Sequence, residues 1–329
     1  MMDLVIQNLL SPAVLFFVLG IIAAMVKSDL QFPKGLSEFL SIYLLIAIGL
    51  KGGIELSTHS LADVTQPVLG VLFLGFLVPI IVLIICEKLG IDLKNSAAIA
   101  ASYGSVSIVT FGAGITFLES NNISYESFMN TLVVLMESPA IFMALFLLKR
   151  RELSSSSTAP QLGIISKNGD SSLIRESLFG KSVFLLVGSL LIGWALGESA
   201  LPTVKPLFID LYGSILVLFL LGMGIVTGQR LPDIFAHGVK LIALGLAFPV
   251  VFGSLGVIVG SVTGLSVGGM MLMGVLAGSA SYIAAPAAIR SSVPEANPSI
   301  YLGLALGITF PFNLIVGIPL YYQLSLLLG

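Results

Sequence analysis

Two short runs of small polar residues carry the chemistry open to this chain. One reads Ala101-Ser102-Tyr103-Gly104-Ser105-Val106-Ser107-Ile108-Val109-Thr110, the other Gly278-Ser279-Ala280-Ser281-Tyr282-Ile283-Ala284-Ala285-Pro286, and each sits in the middle of an apolar segment. Gly and Pro so placed loosen a helix's hydrogen-bond ladder. Freed backbone groups are tolerated at membrane depth only where protein or a water-filled cavity satisfies them. Breaking both segments leaves two half-helix N-termini and two C-termini near the midplane. The N-termini, with unpaired N–H groups and positive dipole ends, attract an anion. The C-termini and Ser/Thr hydroxyls offer oxygens to a hard cation such as sodium. An anion site of this kind needs no Arg or Lys, which suits a small oxyanion that must also be released. The competing reading is close packing of small residues. Two clusters at mirrored positions, one followed by Pro286, favour the binding site.

Glu137 is the most costly residue in the chain, near the centre of an apolar segment and followed by Ser138 and Pro139. An ionisable group there costs about 2.5–3.5 kcal/mol on insertion scales, so it is expected to face the bundle interior. It reads as a cation ligand beside the first broken segment, against the alternatives of a structural carboxyl or an ion pair with Lys51. Thr309 and Asn313, around Pro311, hold the mirrored place and either complete a cation or solute site or make ordinary helix–helix hydrogen bonds. Lys51 is expected to snorkel to the interface, or else to pair with Glu137 or Glu55. His59 and His237 read as solvated loop residues, and Met136, Met143, Met270, Met271 and Met273 as packing. No nucleophile–base pair, phosphate loop or paired-His metal motif is present, so the chain does not read as an enzyme.

The elements that must position these residues are membrane helices. Apolar residues make up 57% of the 329 and charged residues 10%, with a mean hydropathy of +1.08. A soluble domain carries about a quarter charged residues, so lipid must cover much of this surface. The net charge of −2 and the absence of a basic stripe give no sign of nucleic acid. The single cysteine, Cys86, excludes disulfides and reads as packing. The first stretch carries Asp3 and no Lys or Arg, so it reads as leading into a retained helix rather than a cleaved signal.

A membrane helix needs about 20 mostly apolar residues. Ten segments meet that rule: Leu9–Val26, Leu36–Leu56, Gln66–Leu89, Ser96–Leu118, Ser127–Leu148, Ser182–Leu196, Leu207–Gly228, Val239–Val262, Val267–Ser291 and Ser299–Leu326. Under that count every Lys and Arg except Lys51 and Lys205 falls on one side of the membrane. The Ser-rich linker is therefore expected to be cytoplasmic and both termini outside. The organisation expected is a first five-helix repeat over 1–149, a linker over 150–180 and a second repeat over 181–329. Gly49-Leu50-Lys51-Gly52-Gly53 faces Gly222-Met223-Gly224, Pro79 matches Pro249, Ser105-Val106-Ser107 matches Ser279-Ala280-Ser281, and Pro139 matches Pro311. Five helices is an odd number, so the second copy must be inverted, the plan of many secondary transporters.

Ile48-Gly49-Leu50-Lys51-Gly52-Gly53, Tyr103-Gly104-Ser105-Val106-Ser107, Ile123-Ser124-Tyr125-Glu126, Glu137-Ser138-Pro139-Ala140, Gly222-Met223-Gly224 and Pro294-Glu295-Ala296-Asn297-Pro298-Ser299 together resemble the sodium-dependent bicarbonate transporter family described in cyanobacteria. The resemblance runs through nearly all ten segments in order. It implies an all-α polytopic fold with core and gate domains and two broken, crossing helices, sodium-driven bicarbonate import by alternating access, and the bacterial inner membrane as location. It further implies a homotrimer and cytoplasmic inhibition by a PII-like protein. Its candidate anion-binding residues are Ser105, Ser107, Thr110, Ser279, Ser281 and Tyr282; the candidate sodium-binding residues are Ser102, Glu137, Thr309 and Asn313. No cofactor is implied beyond sodium as coupling ion. Tyr282 stands where the cyanobacterial members carry an acidic residue and Glu137 where they carry Asp, while their Gly-Pro-Pro run is Ala285-Pro286-Ala287 here. The first change bears on the substrate or the sodium count. The short linker bears on whether the regulator docks.

Overall fold

The computed structural model describes residues 10–33, 35–58, 61–155, 181–236 and 238–329. The linker from 156 onward, with Lys167 and Arg175, and the residues Asp3, Lys34, His59 and His237 lie outside them. Every regular element among the described residues is helical. Seven of the helical stretches are long and apolar enough to cross a membrane.

In chain order the helices are α1 Pro12–Met25, α2 Leu36–Leu56, α3 Leu61–Lys88, α4 Leu93–Gly104, α5 Ile108–Ser120, α6 Met129–Ser155, α7 Lys181–Leu196, α8 Tyr212–Ala236, α9 Val239–Val262, α10 Val267–Gly278, α11 Ala284–Ser292 and α12 Pro298–Leu328. Ser11 caps α1 with its side chain and Pro12 takes the first turn, where its missing N–H does no harm. That cap stops α1 at 14 residues, short of the expected span from Leu9. The expected loop between the sixth and seventh segments is instead a run of short 3-10, α and π turns over Gly197–Asp210, entered through a left-handed Gly197. In turn α6 runs past Leu148 to Ser155, taking the first residues of the expected linker into the helix.

The fourth and ninth expected segments are each two helices. α4 stops at Gly104 and α5 starts at Ile108; α10 stops at Gly278 and α11 starts at Ala284. In α12 the backbone widens to π turns over Gly303–Thr309 and Asn313–Gly317, on either side of Pro311. Pro311 lacks an N–H and would clash with the carbonyl four residues back; a wider turn relieves both.

Packing separates into two sets. α1 lies against α8 and α2 against α7, with backbones close enough that glycine is required. A Cβ on Gly20 would strike the backbone of α8 at Leu221 and Ile225, and one on Gly224 the carbonyl of Phe17. Similarly, Gly53 abuts the carbonyl of Leu190, and Gly193 that of Leu50. The other set is α3 with α4 and α6, and α9 with α10 and α12. Large apolar side chains such as Leu69, Phe73, Val251 and Ile258 point outward, as a lipid-facing surface requires, while α4 is buried along nearly its whole length.

Candidate functional site

The two helix breaks meet. The Ser107 N–H donates to Ser279 Oγ at 2.9 Å, and the Ser281 N–H donates to the Ser102 carbonyl at 2.7 Å. Each break thus satisfies a backbone group of the other, the condition for irregular backbone at this depth. Ser102, Ser105, Ser107, Thr110, Ser279, Ser281 and Tyr282 are all buried.

Local sequence explains the geometry of each end. Ser105 is extended at the C-cap of α4, its N–H still bonded to the Ala101 carbonyl at 3.1 Å. Ser107 caps α5: its hydroxyl accepts from the Thr110 N–H at 3.2 Å and from the Thr110 hydroxyl at 2.8 Å. That leaves the N–H groups of Ile108 and Val109 without an intrahelical acceptor at the positive end of the helix. Opposite, the Ser281 hydroxyl accepts from the Ala285 N–H at 3.3 Å at the start of α11, where Pro286 has no N–H to offer. The Ser279 hydroxyl donates to the Leu276 carbonyl at 3.3 Å. Tyr282 packs edge-on against Phe310, and its hydroxyl approaches Ser107 without completing a hydrogen bond. Backbone donors face the crossing and no Lys or Arg is among its residues, so an anion held there would meet dipoles rather than a full countercharge.

The candidate cation residues divide. The Ser102 hydroxyl, the Ser105 hydroxyl and Glu137 Oε2 are buried with no hydrogen-bond partner. A Cβ on Gly104 would meet Pro79 of α3 and Ala140 of α6, so the end of α4 is pressed against α6 one turn from Glu137. Orphaned buried oxygens of this kind are rare and need an explanation such as an absent ion or water. Three of them on adjoining α4 and α6, two neutral hydroxyls and one carboxyl, fit a hard monovalent cation.

Thr309 and Asn313, by contrast, are already engaged. The Thr309 hydroxyl donates to the Gly245 carbonyl at 2.8 Å and receives the Tyr103 hydroxyl at 2.5 Å. Asn313 Nδ2 donates to the Gly278 carbonyl at 2.9 Å, and its Oδ1 accepts from the Tyr321 hydroxyl at 2.7 Å. Tyr103 and Tyr321 are not among the candidate site residues, and the sequence carries a signal only for the Thr309 bond. Pro249 removes the N–H that the Gly245 carbonyl would have used, so a donor had to be found for it.

Lys51 pairs with neither Glu137 nor Glu55. Its ammonium lies 3.6 Å from Glu119 and 3.4 Å from the Tyr125 hydroxyl. The neighbouring Gly52 packs on Asn130, about two turns along α6 from Glu137, and the Glu55 carboxylate takes the Asn130 amide instead. Glu126 takes a structural part the sequence did not suggest, accepting from the Ser266 N–H at 2.6 Å and the Ser266 hydroxyl at 3.1 Å at the start of α10.

Residues 12–326 match the family model of the Na+-dependent bicarbonate transporter superfamily. A comparison with individual curated proteins found no match. A match over nearly the whole length, with helical, apolar spans among the described residues, makes this a multi-pass membrane protein belonging to that family.

Proposed function

We propose that this member of the family is a secondary active transporter that couples inward sodium movement to uptake of bicarbonate, with the anion held where the two broken helices cross. The observation that carries the reading is the reciprocal pair of hydrogen bonds between the breaks, which sets the start of α5 in a buried crossing without a fixed positive side chain. Dipole-sized charges hold a monovalent anion weakly enough to let it go. The Ile108 and Val109 amides, with Ser105, Ser107, Thr110, Ser279, Ser281 and Tyr282, are the anion's contacts on this reading. The unpartnered oxygens of Ser102, Ser105 and Glu137 are the sodium ion's, and its charge offsets the anion's during the crossing. Thr309 and Asn313 brace the site rather than complete it.

An inverted repeat is supported by matches beyond the sequence motifs. The close crossing of Gly20 on Gly224 has its counterpart in Gly193 on Gly53, with the partners exchanged between halves. Left-handed Gly90 and Gly264 each precede a side-chain cap, Asp92 and Ser266, at the start of a broken segment. On that plan α1, α2, α7 and α8 form a gate, the rest a core, and alternating access is movement of one against the other. The ten-span count, the outward termini, the inner-membrane location, the trimer and a PII-like cytoplasmic partner follow from the family resemblance and the charge distribution.

The test is uptake of labelled bicarbonate into proteoliposomes with and without an inward sodium gradient. Gradient-dependent uptake is expected; uptake indifferent to sodium would sink the coupling. A second reading, symport of another small anion, is favoured by the Tyr282 hydroxyl, a neutral donor left unbonded at the crossing. Competition by formate, nitrate and acetate in the same assay separates the two.

A further inference from the structure

A second polar cavity lies well away from the crossing. It encloses about 320 Å³ between α2, α5, the N-terminus of α6 and the Gly197–Asp210 segment, and among its lining residues are Lys51, Thr116, Glu119, Asn130, Asp210 and Tyr212. Glu119 is twelve residues along α5 from the cap Ser107, roughly 18 Å at the helical rise, so this chamber and the crossing cannot share one ion.

Two of the lining residues each carry a buried oxygen without a partner. Asn130 is 1% exposed; its Nδ2 donates to Glu55 Oε2 at 2.9 Å and the Ser127 carbonyl at 3.4 Å, while its Oδ1 has no hydrogen bond. Flipping the amide would set Oδ1 against the Glu55 carboxylate, so the acceptor is held where it is. The Tyr212 hydroxyl, seated against Gly112 of α5, is likewise without a partner. Charge points the same way. Glu119 and Asp210 against Lys51 leave one net negative charge on the lining, and a neighbouring cavity on the other flank of Lys51 adds Glu198. A cleft lined by one sign of charge concentrates the opposite ion. One net charge with neutral oxygens suits a monovalent rather than a divalent ion, which gathers more carboxylates.

We propose that this cavity is a second, weaker station for a hard monovalent cation, held by the Glu119 carboxylate, Asn130 Oδ1 and the Tyr212 hydroxyl, with the Lys51 ammonium as the resident charge that the ion displaces. The Tyr125 hydroxyl, which donates to Glu119 at 3.2 Å, steadies the carboxylate as Lys51 leaves. The station rests on the sodium-coupled reading and adds to it an antechamber that loads the ion before it reaches Glu137.

The test is thermal stabilisation of the full chain in detergent, titrated with sodium chloride at constant ionic strength made up with choline chloride. In a Glu137→Gln background a residual, sodium-specific rise in Tm is expected. Adding Glu119→Gln removes it. Adding Lys51→Met instead lowers the half-saturating sodium at least about fivefold, the factor a unit charge ~4 Å away exerts even at the dielectric of water. Residual stabilisation unmoved by both additions, or none at all in the Glu137→Gln background, overturns the station. Full stabilisation surviving Glu137→Gln with wild-type midpoint would overturn the crossing as the sodium site, and Glu119→Gln then still decides the antechamber. If Glu119→Gln fails to fold, the Lys51→Met shift decides alone.

Discussion

The two halves of the core meet the same problem and solve it differently. In α9, Pro249 strips the Gly245 carbonyl of its helical donor, and Thr309 of α12 supplies one, with Tyr103 bonded behind it. In α3, Pro79 does the same to the Gly75 carbonyl, and Gly75 faces Met136 and Pro139 of α6. The position matching Thr309, at the offset that relates Pro139 to Pro311, is Glu137. There the partners are missing: Glu137 Oε2 and the hydroxyls of Ser102 and Ser105 stay unbonded in the interior. A closed network is a brace, whereas an open one of oxygens alone is a socket, since an unsatisfied buried acceptor is retained only where something else comes to satisfy it. On the proposed inverted repeat, one half has kept its opening and the other has filled it.

That contrast can be broken by substitutions that treat the halves alike. Glu137→Gln should have the largest effect, raising the sodium concentration for half-maximal uptake by roughly 30-fold or more, as loss of a buried charged contact costs about 2–5 kcal/mol. The protein should remain folded by size-exclusion profile. A sodium dependence unchanged by this substitution removes Glu137 from the site. Thr309→Val should instead lower stability by about 1–3 kcal/mol, because the Gly245 carbonyl and the Tyr103 hydroxyl both lose a partner in the interior. Its sodium dependence should move less than about threefold, a change under ~0.7 kcal/mol. If Thr309→Val behaved like Glu137→Gln, the brace would be a second half of the socket.

Ser102→Ala sharpens the difference at smaller amplitude. A hydroxyl with no protein partner can be removed with little loss of stability, yet as a cation contact it should raise the half-maximal sodium about fivefold, near 1 kcal/mol. Thermal melting and uptake measured on one preparation give both numbers. The smallest effect concerns the tether between the two sides, where Lys94 at the start of α4 meets Glu295 ahead of α12 at 2.8 Å. The hydrogen bond from Lys94 holds the Glu295 carboxyl below its ordinary value. A carboxyl with a depressed folded pKa stabilises the fold above its ordinary pKa, and the contribution is lost as pH falls through the folded value. Melting between pH 7 and pH 3 should therefore show a slightly steeper acid loss in the wild type than in Glu295→Gln. Both groups are well exposed, so a difference too small to resolve would agree with solvent screening, and a steeper loss in the variant would contradict the assignment.

Much of this protein was legible in the chain. Hydropathy marked apolar spans, and seven helical stretches among the described residues are long and apolar enough to cross a membrane, because lipid imposes a length and a composition on whatever crosses it. Clusters of Gly, Ser and Pro at mirrored places gave the two breaks, since those residues weaken a helix wherever it packs. Boundaries were less secure where a cap or a wide turn decided them, as at Ser11 and through Gly197–Asp210. The partners of individual polar groups lay beyond local reading. Lys51 finds Glu119 rather than Glu55 or Glu137, and Thr309 finds Gly245 and Tyr103, through helix pairings that bring together residues far apart in sequence. Periodicity states which face of a helix is buried but not which helix will cover it. Hence the polar residue types at the crossing were visible in the sequence, while the three-dimensional packing decided that Thr309 is bonded and that Glu137 Oε2 is not, since each buried oxygen either met a donor or did not.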